Sequence, residues 1–257
     1  MAETKKHEET SIAQSPLFLG AVAIATVLIL FNMWQISTLS SMLGSGAGGV
    51  HTGGGALSFS AAGEGKVLAP VLLASGESPV LPNYKTKVKE LPTISSNPAK
   101  AATGDPVQDA INAIVPTGTP PYGQQAGVTF DDPLTAQHVW GGYEHSVQLT
   151  PEQQTRWQGI VGKFTCDYCC GSPTHPTIIT QCGCAHAAAW RGMAKWFIVN
   201  AGDKYTDEQI FGELSRWKAL WYPGPTVQRV LQEQAAGTGG AATAANIGNL
   251  PGMVGGC

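Results

Sequence analysis

The longest run of apolar positions in this chain lies near its amino terminus. Leu17 to Ile36 read LFLGAVAIATVLILFNMWQI, a stretch of 20 residues without a charge. At ~1.5 Å rise per residue, a helix of this length crosses the ~30 Å hydrocarbon core of a bilayer. The pattern predicts a single transmembrane helix over residues 17–37, with residues 1–16 as a cytoplasmic tail.

The charges around this segment favour an uncleaved anchor. Lys5 and Lys6 are the only basic residues near either end, and basic residues mark the cytoplasmic side of a membrane segment. A cleaved signal peptide would have a shorter apolar stretch behind a basic region, whereas nearby glutamates offset these two lysines. Because a Gly/Ala-rich stretch follows at Gly44 to Gly49, cleavage stays open as an alternative. We expect a single-pass protein of the cell membrane whose carboxyl-terminal domain is extracytoplasmic.

Beyond the apolar segment, residues 38–102 are mostly Gly, Ser, Ala, Thr and Pro. Such a composition buries too little apolar surface to offset the entropy that is lost on ordering. It predicts a flexible Gly/Ser/Pro linker. The string VLAPVLLA at 67–74 allows two interpretations, either a short strand or an apolar patch within the linker.

Helix signals extend over residues 103–234. Asp105 precedes Pro106, Thr150 precedes Pro151, and Thr206 lies three residues before Gln209 in a capping box. Apolar residues at helical spacing follow each start. They are Val107, Ile111 and Ile114; Trp157, Ile160, Val161 and Phe164; and Ile210, Phe211, Leu214, Trp217 and Trp221. The fold class is therefore mainly α, with a small helical, Cys-rich domain.

Two more helices complete the predicted domain. One runs from about Ala185 to near Gly202 and is apolar on nearly all sides, so we expect it to be the central buried helix, with Arg191 and Lys195 at a solvated edge. Another begins at Pro225 and ends near residue 234. The Gly/Ala-rich tail at 235–257 is uncharged, and we expect it to be disordered or docked on a partner.

Three features before the cysteines have ordinary structural interpretations. Asp131 and Asp132 precede a proline and are typical of a helix cap. His138 and His145 share a helical face only if a helix continues through Gly141-Gly142, which the glycine pair disfavours. We expect both histidines to be surface or core residues and not part of a binding site.

Charge and motifs exclude several function classes. The net charge of −3 and the lack of a Lys/Arg stripe argue against nucleic-acid binding. The sequence carries no phosphate-binding loop, dinucleotide fingerprint or haem attachment motif. Cys184, His186 and Asp167 could be written as a hydrolytic triad, but nothing supplies an oxyanion hole. We do not expect an enzyme.

The cysteines carry the candidate chemistry. Five of the six fall within 19 residues, as Cys166-Asp-Tyr-Cys169-Cys170-Gly and then Cys182-Gly-Cys184-Ala-His186. The two-residue spacing of Cys166 and Cys169 lets both thiolates reach one metal, and the second run opens a helix, whose amino terminus lowers thiol pKa values. The candidate ligands are Cys166, Cys169, Cys170, Cys182, Cys184 and His186, with His175 as a further candidate.

Two other interpretations of the cluster remain. In an oxidising compartment the cysteines could be structural disulfides, paired across the loop as Cys166 with Cys182 or Cys184. They could also exchange thiols and disulfides. If a metal binds, the soft donor set suits zinc or copper, and an iron–sulfur cluster less. Cys257, the last residue, is a candidate for an intermolecular disulfide.

Several strings resemble a known type of protein. CDYCCG, CGCAHAAAWRGMAKWFI and YTDEQIFGELSRWKALWYP, with TGTPPYGQQAGVTFDDP upstream, resemble an uncharacterised family of membrane-anchored Cys-rich proteins from archaea and uncultivated prokaryotes. The order of elements is distantly similar to PCYCGC-motif proteins, although that string is absent here. The resemblance covers residues 117–223 and implies an anchored surface domain without known catalytic activity.

The patterns together predict a membrane-anchored, extracytoplasmic metal-binding domain. One alternative is a structural or interaction protein of the cell envelope with a disulfide-stapled domain. Another is an extracytoplasmic thiol oxidoreductase. The expected partners are the lipid bilayer and either a second copy of the chain or another envelope protein, and no nucleic acid.

Overall fold

The computed structural model describes residues 65–72, 86–237 and 250–256. The predicted tail at 1–16, the predicted transmembrane helix at 17–37 and Cys257 lie outside the described residues. Within those ranges, no helix combines the length and the apolar character needed to cross a bilayer. The described chain is mainly helical, which confirms the predicted fold class at that level.

The described residues form seven helices and four short strands. In chain order these are β1 (Lys66–Leu72), β2 (Thr86–Pro92), α1 (Pro106–Ile114), α2 (Gly123–Ala126), α3 (Pro133–Ser146), α4 (Pro151–Val161), β3 (Thr165–Cys166), β4 (Thr177–Ile178), α5 (Ala185–Ala201), α6 (Asp207–Trp221) and α7 (Pro223–Gly237). Single 3₁₀ turns at Ile179–Gln181 and Gly202–Lys204 flank α5.

The capping residues start the helices where the sequence predicts. The Asp105 side chain accepts hydrogen bonds from the first turn of α1. Thr150 with Gln153 and Thr206 with Gln209 form complete capping boxes at α4 and α6. Each cap satisfies backbone N–H groups that a helix start leaves without partners.

Helix α3 continues through Gly141-Gly142, where the sequence disfavours a helix. The cause is packing against α5, since a Cβ added at Gly192 would lie 1.9 Å from the Trp140 carbonyl oxygen. The two backbones therefore approach more closely than any side chain at position 192 would allow, and tertiary contact overrides the low helix propensity of glycine. His138 and His145 are exposed on this helix, as expected for surface histidines.

Helix α5 lies at the centre of an aromatic core, as its apolar pattern predicts. Trp190 and Phe197 on this helix are fully buried. The Trp190 ring centroid lies 5.6 Å from that of Trp221 on α6, and Trp217 lies 5.9 Å from Trp140 on α3. These contacts join α3, α5 and α6 into one core.

Part of the predicted linker is ordered structure, which corrects the assignment of residues 38–102 as a tether. Strands β1 and β2 pair antiparallel, with Lys66 opposite Pro92, so the strand interpretation of VLAPVLLA is confirmed for residues 67–72. The carboxylate of Glu213 on α6 accepts hydrogen bonds from the Ile94 and Ser95 amides, at 3.1 and 3.0 Å. A buried carboxylate needs such donors, so α6 holds this segment on the core.

The described part of the tail also packs on the domain. The Val254 amide donates to the Trp221 carbonyl at 2.8 Å, and the Gly224 amide donates to the Pro251 carbonyl at 3.1 Å. The side chain of Gln137 bonds the backbone of Gly256. Residues 250–256 are therefore docked on their own chain, which corrects the expectation of a disordered or partner-bound tail for this part.

Gly192→Ala should destabilise the protein by about 1–3 kcal/mol, since the added methyl group overpacks the contact of α5 with α3. Gly141→Ala is the matched control, because an added Cβ there meets nothing within 4 Å. It should leave stability unchanged or raise it by up to about 1 kcal/mol. Denaturant unfolding of the full chain measures both, and equal effects would contradict the close packing.

Candidate metal centre

The first cysteine arm is a tight loop between two paired strands. We define it as residues 165–178, from β3 to β4, where Cys166 pairs with Thr177. Cys166 is buried, whereas Cys169 and Cys170 are exposed. A Cβ at Gly171 would lie 2.6 Å from the Cys166 carbonyl oxygen, so glycine is needed to close the loop.

A buried ion pair fixes this arm to the core. Asp167 lies between Cys166 and Cys169, and its Oδ2 accepts a hydrogen bond from Lys218 Nζ at 2.7 Å. Both side chains are at most 1% exposed. The Thr165 hydroxyl donates to the other Asp167 oxygen at 3.0 Å, and Lys218 Nζ lies 4.2 Å from the Phe164 ring centroid. The pair sets the position of Cys166 relative to α6.

The second cysteine arm, residues 179–186, ends in the first turn of α5. Cys184 is the N-cap of that helix, and its Sγ accepts the Ala187 amide at 3.4 Å. Arg191 on the same helix donates hydrogen bonds to the Cys182 carbonyl, at 2.7 Å, and to the Ile179 carbonyl. It also forms an ion pair with the Glu144 carboxylate. Arg191 is thus a partly buried anchor of the arm, which corrects its assignment to a solvated edge. Lys195 likewise bonds the Glu144 carbonyl at 2.6 Å.

The two arms bring all six predicted ligands together. Sulfur–sulfur distances are 3.3 Å for Cys166–Cys169, 3.6 Å for Cys169–Cys170 and 3.4 Å for Cys182–Cys184. These are longer than the ~2.05 Å of a disulfide. They are near the ~3.8 Å that separates two thiolates bound at ~2.3 Å to one tetrahedral ion.

The donor atoms form three groups, and the atoms within each group lie within 4.8 Å of one another. The groups are Cys166, Cys169 and Cys170; Cys169, Cys184 and His186; and Cys170, Cys182 and Cys184. Cys166, Cys182 and Cys184 carry free thiols, so among the described residues the cross-loop pairing expected for disulfides is not formed. His175 is in none of these groups, and its ring nitrogen bonds Thr174 at 3.1 Å.

His186 is buried and its ring is held at both nitrogens. Nε2 lies 2.8 Å from the Val254 carbonyl oxygen, which can only accept, so Nε2 carries the proton. Nδ1 lies 2.9 Å from the Tyr222 hydroxyl, and that hydroxyl lies 3.0 Å from Cys169 Sγ. A carbonyl on the far nitrogen is the usual way to orient a metal-binding imidazole.

Burial and hydrogen bonds between the thiols shift the pKa values of the cluster. Burial lowers the pKa of His186, which keeps the imidazole in the neutral form that binds metals. Burial also raises the pKa of the Cys166 thiol, and it raises that of Cys184 to about 12. The hydrogen bond with Cys182 is the main cause of the raised pKa of Cys170. The lowering of thiol pKa expected at the start of α5 is therefore wrong for Cys184, where burial outweighs the backbone hydrogen bond from Ala187.

Some parts of the centre had no signal in the sequence. Lys218 pairs with Asp167, which removes Asp167 from any hydrolytic triad with Cys184 and His186. Tyr222 and Val254 contact the ligands from 36 and 68 residues beyond His186. The one available signal is Asp167 itself, because a carboxylate between cysteines needs a cationic partner when it is buried. The sequence does not show which cation that is.

No protein-family model, curated protein or solved structure matches this chain.

Lys218→Met should lower the free energy of unfolding by about 3–5 kcal/mol, because it leaves Asp167 buried without its partner. Adding Asp167→Asn removes the second charge and should restore part of the loss. Lys163→Met, at an exposed position, is the control and should change little. Denaturant unfolding of the full chain measures all three, and a Lys218→Met variant as stable as the control would refute the anchoring role.

Proposed function

We propose that this protein binds metal through the cysteine cluster and displays that site outside the cytoplasm on a membrane anchor. The observation that carries the proposal is the convergence of five sulfur atoms and one imidazole nitrogen from two separately anchored arms. Packing of a hydrophobic core does not require so many metal-binding donors at one point. Thiols form only weak hydrogen bonds, so such a cluster gains much more stability from coordinating a metal than from its own hydrogen bonds.

The chemistry of the donor atoms limits which metals can bind. Thiolates and one neutral imidazole are soft ligands, which suit zinc or copper and, with less support, an iron–sulfur cluster. The contact of His186 Nε2 with the Val254 carbonyl leaves Nδ1 as the nitrogen whose lone pair can bind an ion shared with Cys169 and Cys184. Exposure of Cys169 and Cys170 gives an ion a route from solvent.

A thiol oxidoreductase is the second candidate, and a specific contact favours it. Cys166 and Cys169 have sulfurs 3.3 Å apart, and Cys169 is exposed beside the Tyr222 hydroxyl. In that reaction the two thiols would reduce a substrate disulfide, losing two protons and two electrons as their own disulfide forms.

Metal analysis of the full chain, purified under anaerobic conditions, tests the main candidate. We expect at least one equivalent of zinc or copper by mass spectrometry, and loss of metal in Cys169→Ser and Cys184→Ser. His175→Ala is the control and should retain the metal, since His175 lies in none of the donor groups.

A metal-free protein that cannot be reloaded, with cysteines that reduce a model disulfide rapidly, would replace metal binding by the oxidoreductase function. A metal-free protein with stable disulfides would instead favour the structural envelope protein.

The membrane anchor has its own test. Deleting residues 1–37 removes the 20-residue apolar stretch, so the truncated chain should leave the membrane fraction after a carbonate wash. Protease added to intact cells should remove the domain of the full chain and spare a cytosolic marker. Protection of the domain from that protease would contradict the extracytoplasmic orientation.

A further inference from the structure

The three donor groups of the cluster overlap in a regular way. Cys169 belongs to the first and second groups, Cys170 to the first and third, and Cys184 to the second and third. Every pair of groups thus shares one thiol. The remaining donors, Cys166, Cys182 and His186, each belong to a single group.

This overlap has the connectivity of a ring. If one ion sits in each group, the three shared thiols bridge neighbouring ions and the three unshared donors are terminal ligands. Each ion then has two bridging ligands and one terminal ligand. Three donors at ~2.3 Å around a trigonal ion stand ~4 Å apart, which agrees with groups whose atoms lie within 4.8 Å.

We propose that the cluster binds three Cu(I) ions as a copper–thiolate ring, an inference that rests on the metal-binding function proposed above. Copper(I) is the soft ion that thiolates select and that is stable with three ligands. A closed zinc site takes four ligands, whereas the donors of the described residues fall into groups of three and not of four.

The surroundings support thiolates at two of the bridging positions. Tyr222 lies 3.0 Å from Cys169 Sγ, and the Ala187 amide donates to Cys184 Sγ at 3.4 Å. The single Tyr222 hydrogen serves either Cys169 or His186 Nδ1. An ion on Nδ1 therefore leaves the hydroxyl to donate to the bridging thiolate, which stabilises its charge.

Binding needs no electron transfer. Each of the five thiols loses one proton to solvent as its sulfur binds copper, and copper stays in the +1 state. Five thiolates and three monovalent ions leave the ring with two negative charges. Cys169 and Cys170 are exposed, so the ring has one open edge through which ions can enter or pass to another thiol ligand.

The test is a Cu(I) titration of the full chain carrying Cys257→Ser, reduced and free of oxygen, with a competing chelator and native mass spectrometry as the readout. We expect three copper ions per chain. Because the ions should bind cooperatively, chains that carry only one or two copper ions should be rare. Circular dichroism of each variant checks that it is folded.

The variants separate bridging from terminal ligands. Cys170→Ser removes a ligand from two ions and should lose the three-copper species. Cys182→Ser removes a ligand from one ion and should retain two or three ions with weaker binding of one. Equal losses in these two folded variants would overturn the ring.

The outcomes also separate this inference from the proposed function. A single copper or zinc ion per chain would overturn the ring and leave metal binding intact. No bound metal under any loading condition would overturn both.

Discussion

The candidate metal centre depends on the burial of charged side chains beneath the cysteines. Lys218 and Asp167 are fully buried and 2.7 Å apart, and Arg191 binds carbonyl groups of the second arm. A buried charge without a partner lowers stability. The first arm is therefore held where Asp167 pairs with Lys218, and the second where its carbonyl groups accept hydrogen bonds from Arg191. The cysteines take their positions from these anchors, and the two arms, which follow one another in the sequence, meet at one site.

The core makes those anchors possible. Helices α5 and α6 supply Arg191 and Lys218 from a tightly packed aromatic centre, and Gly192 allows α3 to approach α5 without a gap. The same helices also bind segments of the chain that lie outside the predicted domain, before residue 103 and after residue 234. Glu213 holds residues 94 and 95, and Val254 reaches back to Trp221 and His186. The site is therefore a product of the whole described fold and not of the cysteine segment alone.

Local signals in the sequence were sufficient for most helices and for the ligand set. Capping residues such as Asp105, Thr150 and Thr206 act within four residues, so a pattern can show them. A strand was one of the two interpretations of residues 67–74, but its pairing with β2 and the docking of the tail could not be predicted in this way. The Gly/Ser/Pro composition around them gives no clear signal, and the groups that bind residues 94–95 and the tail belong to Glu213 and Trp221, which are distant in sequence. The raised pKa of Cys184 has no sequence signal for a related reason, since its burial is a property of the tertiary structure.

The central claim is that six donors from two arms act as one metal centre. X-ray absorption at the copper edge of the Cu(I)-loaded, reduced chain tests it most directly. The account predicts a first shell of about three ligands per ion, mostly sulfur with a minor nitrogen contribution from His186, and a copper–copper scattering path from ions that share thiolates. A shell dominated by oxygen or nitrogen, with no copper–copper path, would contradict it.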